Sequence, residues 1–196
     1  HKNAFSYQTT FKDIDLTFFT LYNFSMNNLI LIGMPASGKS TAGVLLAKKT
    51  GYGFIDTDLL IQKSEGALLC DILSERGAEG FIAIEDKVNS SLAADRCVIA
   101  TGGSVIYGEN AMKNLKSLGT VIYLKVGLGE LEKRLGGEDI FARGVVMRKK
   151  GETLAELLQE RAPLYEKYAD ITIDCDGLSL EQTVSAAAEA AKKYRI

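Results

Sequence analysis

Histidine is all but missing: the 196-residue chain has one, His1. That excludes imidazole acid–base chemistry, a Ser-His-Asp triad and the usual zinc sites, so any general base is a carboxylate or a lysine. Cysteine is scarce as well. Cys70, Cys97 and Cys175 form an odd, widely spaced set without a C-x-x-C pair. This argues against a disulfide framework and for reduced, buried thiols in a cytoplasm. No apolar run is long enough to span a bilayer. Neither sign of charge dominates: 23 Lys and Arg stand against 25 Asp and Glu, a formal net charge of -2. Such a balance gives no bulk attraction to nucleic acid or to an acidic membrane, so basic residues matter locally if they matter at all.

The length suits one sizeable core. Residues 1–25 are rich in aromatics, lack the basic start and apolar centre of a signal peptide, and precede Met26. They read as an extension or a tag-derived segment, and 26–196 as a single domain. The chain is expected to be monomeric, with 1–25 the place for any chain–chain contact. From Met26 onward, short Ile- and Val-rich runs at 29–33, 53–56, 97–101, 120–124 and 170–174 alternate with helical patterns. The helical patterns fall at about 39–50, 58–76, 79–94, 109–117, 128–135, 153–168 and 179–194. Nearly continuous apolar runs are strands buried on both faces, and the alternation predicts an α/β fold with a parallel sheet. One stretch breaks the pattern. "GGEDIFARGVVMRKKGE" (136–152) has glycines at both ends and a basic cluster, and is expected to be a mobile flap.

The strongest motif is "GMPASGKS", which matches G-x-x-x-x-G-K-[ST] at Gly33, Gly38, Lys39 and Ser40. It follows "NLILI" and opens a helical pattern, the context in which backbone N–H groups and a helix N-terminus hold phosphate. Gly33, Ala36, Ser37, Gly38, Lys39, Ser40 and Thr41 are the candidate nucleotide contacts. Lys39 is expected to be exposed in the empty site and to reach the terminal phosphates, and Ser40 to ligate Mg²⁺. Ala36 occupies a position where related loops often carry glycine; a positive φ there costs about 1–2 kcal/mol. Downstream, "FIDTD" ends a β-run with Asp56 and Asp58. Strand alternation points both the same way, towards the ligand crevice of an open α/β sheet. One carboxylate for Mg²⁺ and one for a hydroxyl nucleophile is the economical division.

These motifs, with "TGGSV" (101–105), "RLGG" (134–137), "RGVV" (143–146) and "ERAPLYEKYAD" (160–170), occur in the order and spacing of shikimate kinases. The chain resembles that family over nearly all of 28–196. The resemblance implies a P-loop kinase fold, three-layer α/β/α with a five-stranded parallel sheet and a lid. It also implies ATP and Mg²⁺, a cytoplasmic location and a role in aromatic amino acid biosynthesis. By the same resemblance Asp56 holds the metal through water, and Asp58 contacts the reacting hydroxyl as base. Gly102 and Gly103 meet the substrate in a glycine turn, and Arg134 stacks on adenine. Arg143 reaches the transferring phosphate from the lid, and Arg161 pairs with the substrate carboxylate.

One departure bears on the acceptor. Where the family carries arginine after the phenylalanine of G-E-x-x-F-R-x-x-E, this chain reads "GAEGFIAIE", with Ile82 after Phe81. Glu85, which would brace that arginine, remains. Isoleucine cannot replace a bidentate guanidinium–carboxylate pair, so the expected cost in KM is about tenfold or more. The expected activity is ATP-dependent phosphorylation of a small hydroxylated metabolite, with shikimate the leading acceptor. Another hydroxylated metabolite, or a catalytically silent nucleotide-binding protein, is the alternative.

Overall fold

The structure, a computed structural model, describes residues 28–136, 144–149 and 151–193. In chain order these form β1 (Asn28–Ile32), α1 (Lys39–Thr50), β2 (Gly53–Asp56), α2 (Thr57–Glu65) and α3 (Leu69–Ser90). Then come β3 (Cys97–Ala100), a 3-10 turn (Val105–Tyr107), α4 (Glu109–Leu118), β4 (Gly119–Lys125) and α5 (Leu128–Leu135). The remaining elements are α6 (Leu154–Tyr168), β5 (Ile171–Asp174) and α7 (Leu180–Lys193).

The five strands of the described residues form one sheet in the order β2-β3-β1-β4-β5, with every pairing parallel. All of β1, "NLILI", is buried, as a strand covered on both faces must be. Helix α1 packs on α7 and against β1–β3, while α3 packs on α4. Ile30, Leu31, Ile32, Ile99 and Ile122 have no exposed surface. Each such side chain contributes about 1.5–3 kcal/mol by leaving water. Because β1 lies between β3 and β4, the chain runs to one side of β1 and later to the other. The carboxyl ends of these strands therefore open on the crevice where α/β sheets bind ligands.

The expected strands agree with the observed ones to within a residue or two. The pattern read as one helix over 58–76 is two helices. Gly66, with φ 67°, takes the left-handed position that ends α2, and extended Leu68 starts α3. Helix α3 then continues to Ser90, interrupted only at Gly77, where φ 68° and ψ 179° are non-helical. Among the described residues no helix is long and apolar enough to cross a membrane.

Candidate active site

The loop after β1 ends at Gly38, the N-cap of α1, which has φ 92° and supplies no side-chain cap. The first N–H groups of α1 are thus open to an anion. Lys39 is not exposed as expected: its side chain folds back, and Nζ donates to the carbonyls of Gly33 (2.8 Å) and Met34 (2.9 Å). Folding back gives the ammonium neutral oxygen partners. Burial lowers its pKa to about 8, against the opposing pull of Asp58. Ala36 does sit in the left-handed region, at φ 62°. Ala36→Gly relieves about 1–2 kcal/mol of backbone strain and returns about 0.5–1 kcal/mol of it as chain entropy. The expected result in a melting experiment is a rise in Tm of about 1–4 °C; an unchanged or lower Tm contradicts it.

Asp56 and Asp58 do not share a strand face, because the chain turns helical directly after Asp56. Asp56 is the N-cap of α2: its Oδ1 accepts from the Asp58 backbone N–H (3.0 Å) and its Oδ2 from the Ser40 hydroxyl (2.7 Å). Asp58 sits in the first turn of α2 and lines a cavity beside the loop instead. Burial first, then the neighbouring Asp56 charge, push its pKa up to about 6, with Lys39 opposing. Ser40 and Asp56 together offer two hard oxygens beside the phosphate loop. Among the described residues no group of three or more His, Cys, Asp or Glu could hold a metal. The pair therefore fits a cation that takes most of its ligands from phosphate and water, as Mg²⁺ does.

The opposite wall comes from the end of β3 and from α6. The cavity, about 300 Å³, brings Lys39, Ser40 and Asp58 together with Gly102, Gly103 and Arg161. Gly103 is glycine for room: a Cβ would stand 2.9 Å from the Pro35 ring and 3.1 Å from Arg161 Nη1. Arg161 is not in a surface ion pair. It is fully buried, its Nε donating to the Tyr107 hydroxyl (3.2 Å) and its Nη2 to the Val146 carbonyl (2.5 Å). Val145 and Val146, from the expected flap, are buried in the cavity wall. Ile82 does not line the cavity; it is half-buried against the apolar cluster of Ile61, Ile72, Phe81 and Val146.

A second cavity, about 290 Å³, lies on the other side of the same loop and shares Ala36, Gly38 and Thr41 with the first. Ser37, Arg134, Leu178 and Thr183 also line it. The Arg134 guanidinium is fixed by Glu130 (2.9 Å) and by the Ser37 carbonyl (3.1 Å), which leaves its plane beside the loop. Two cavities joined across a phosphate loop have the layout of a phosphoryl-transfer site, with a base at one end and an acceptor at the other. Arg143 and Gly137 lie outside the described residues.

A profile of the shikimate kinase family matches residues 35–192, well over half of the chain. The chain belongs to the shikimate kinase family. It is therefore an enzyme, a small-molecule kinase with an alcohol acceptor. The shikimate kinase of Thermodesulfovibrio yellowstonii is 38% identical over 159 residues, covering 80% of this chain and 90% of that protein. A Clostridium botulinum shikimate kinase is 38% identical over 172 residues, covering 87% and 99%. The solved shikimate kinase of Acinetobacter baumannii, in complex with shikimate, superposes with a TM-score of 0.71 at 30% identity, covering 87% of this chain and 92% of that one.

Within this fold the "R-x-P-L-Y" motif acquires a physical meaning that the sequence alone did not supply. Tyr165 is fully buried, stacks on Tyr123 with ring centroids 5.0 Å apart, and donates its hydroxyl to the Gly103 carbonyl (2.5 Å). Helix α6 thus fixes the glycine turn and presents Arg161, one turn earlier, to the same cavity. Tyr107 was missed altogether. Its only signal was an aromatic shortly after the glycine turn, and its role depends on two partners from α6: its hydroxyl donates to Glu160 (2.7 Å) and accepts from Arg161.

Proposed function

We propose that this chain transfers the γ-phosphoryl group of ATP to the 3-hydroxyl of shikimate. The observation that carries the acceptor assignment is a buried guanidinium, Arg161, in the same small cavity as a carboxylate with a raised pKa, Asp58. A small acid bearing hydroxyls satisfies both: its carboxylate pairs with Arg161, and a hydroxyl meets Asp58. Family membership supports the same acceptor, and no feature of the cavity favours a neutral polyol. With Ile82 turned to an apolar cluster, one arginine of the cavity wall binds the carboxylate instead of two.

In the reaction, Asp58 orients the hydroxyl and takes its proton as the oxygen bonds to the γ-phosphorus and the bond to the leaving ADP oxygen breaks. Lys39 exchanges the Gly33 and Met34 carbonyls for phosphate oxygens. The open N–H groups of α1 bind the phosphates, Arg134 packs by the adenine, and Gly102 and Gly103 present backbone to the acceptor. Arg143 is the cation assigned to the transferring phosphate. Ser40 and Asp56 are the residues that would hold Mg²⁺, which would neutralise charge on the phosphates. ATP as donor and three free thiols fit a cytoplasmic enzyme.

The acceptor assignment is tested with shikimate against its neutral carboxamide. Wild type should prefer shikimate by about tenfold or more in kcat/KM, the value of a charge-assisted pair. Arg161→Met, which keeps bulk and removes charge, should erase that preference. A preference of the same size in both proteins would sink the assignment. The segment 136–152 is assigned as the lid. Hydrogen exchange through it should slow more with nucleotide plus shikimate than with nucleotide alone; equal protection in the two states contradicts a lid.

A further inference from the structure

A guanidinium carries five N–H donors, and the ones that face a carboxylate decide how well it binds. Arg161 is the one arginine among the described residues that line the acceptor cavity. Part of its donor set is already taken. Nε donates to the Tyr107 hydroxyl (3.2 Å) and Nη2 to the Val146 carbonyl (2.5 Å). Nη1 lies against the glycine turn, 3.1 Å from where a Cβ on Gly103 would stand. With Nε occupied, the side-on approach through Nε and Nη2 is closed. A carboxylate is left with the end-on edge, Nη1 and Nη2.

Tyr107, in the 3-10 turn after the glycine turn, is built to hold that arrangement. Its hydroxyl donates to Glu160 Oε1 (2.7 Å), which commits the proton and turns an oxygen lone pair to Arg161 Nε. Burial raises the phenol above its ordinary range, against the pull of Arg161, so at neutral pH the proton stays on the oxygen. Glu160 is held in turn: Arg148 Nη1 and Lys149 Nζ each stand 3.8 Å from one of its oxygens. The Tyr107 ring also lies under two guanidiniums, those of Arg161 and Arg148, each 5.3 Å from its centroid. Tyr107 therefore grips Arg161 twice, by its ring and by its hydroxyl. A long, free arginine loses much rotamer freedom when it pairs with a ligand, and one already fixed loses little more.

We propose that Tyr107 is the positioning residue for the acceptor carboxylate, fixing the Arg161 guanidinium in the orientation that offers Nη1 and Nη2 to the ligand. Glu160 fixes Tyr107 in the same way, one layer further out. Tyr107 itself does not line the cavity, so it acts through Arg161 alone. The device suits a wall in which Ile82 withholds a second arginine, because a single guanidinium selects a carboxylate only while its edge stays aimed. The inference rests on the reading that Arg161 pairs with the carboxylate of shikimate.

The test uses Tyr107→Phe, which keeps the ring and removes the hydroxyl. Wild type and variant are assayed with shikimate and with its neutral carboxamide, after melting curves confirm that both proteins are folded. Losing a hydrogen bond that fixes a charged group should raise the KM for shikimate by about tenfold. The KM for the carboxamide and the KM for ATP should stay nearly unchanged, since neither depends on the aimed charge. The preference for shikimate over the carboxamide therefore shrinks in the variant. Where wild type shows that preference, an unchanged KM, equal rises for the two acceptors or a matching rise for ATP overturns the role of Tyr107 and leaves the Arg161 pairing standing. A wild type without the preference overturns the acceptor reading and this inference with it. Should Tyr107→Phe not fold, Glu160→Gln takes its place. It removes the charge that orients the hydroxyl and should give the same unequal rise; equal rises, or none, contradict the proposal.

Discussion

Lys39→Ala should lower kcat by about 10²–10³-fold or more, the scale on which single preorganised charges contribute to a developing anion. The site geometry says why the loss falls on the chemical step. The ammonium rests on two loop carbonyls within reach of the phosphate-binding backbone, so it needs only a short swing to meet phosphate. Stability should not fall with it. Burial lowers the Lys39 pKa to about 8, which means that the fold holds this charge at some cost. The check is kcat at saturating substrates together with a melting curve. A folded variant with kcat near that of wild type would contradict the phosphate-loop role.

Asp58→Asn should be comparably severe, for a different reason. Asparagine keeps the shape of the side chain and its first-turn position in α2 but cannot take a proton, and general-base catalysis contributes about 10²–10⁴-fold. Its pH signature follows from the direction of the shift. Burial and Asp56 raise Asp58 to about 6, and the base works only when ionised. In wild type, kcat/KM should therefore climb as pH rises through about 6, and bound nucleotide, being anionic, moves that limb upward. In Asp58→Asn the residual rate should lose the limb. Should the variant keep both the rate and the limb, another group is the base.

Much of this site was legible before any fold was known, because its motifs are local. The phosphate loop needs only Gly33, Gly38, Lys39 and Ser40 between a strand and a helix, and all of these lie in the one short stretch "GMPASGKS". The all-parallel sheet was legible for a similar reason, since strands such as "NLILI" and "CVIA" advertise burial on both faces. What stayed hidden depends on contacts between distant segments. Strand periodicity put Asp56 and Asp58 on one face, but the chain becomes helical between them, and one carboxylate caps a helix while the other enters the cavity. The Lys39 carbonyl contacts exist only once the loop has closed on itself. Tyr107 and Tyr165 act through partners 53 and 62 residues away. The break between α2 and α3 hangs on Gly66, whose left-handed backbone no apolar pattern records.

The most direct measurement is an initial-rate assay with MgATP and shikimate, following ADP release and shikimate 3-phosphate together, beside a panel of neutral polyols and other hydroxy acids. One ADP should form per shikimate 3-phosphate, and kcat/KM for shikimate should exceed that for each neutral polyol by about tenfold or more. Turnover of another panel member with shikimate left unphosphorylated would contradict the assignment.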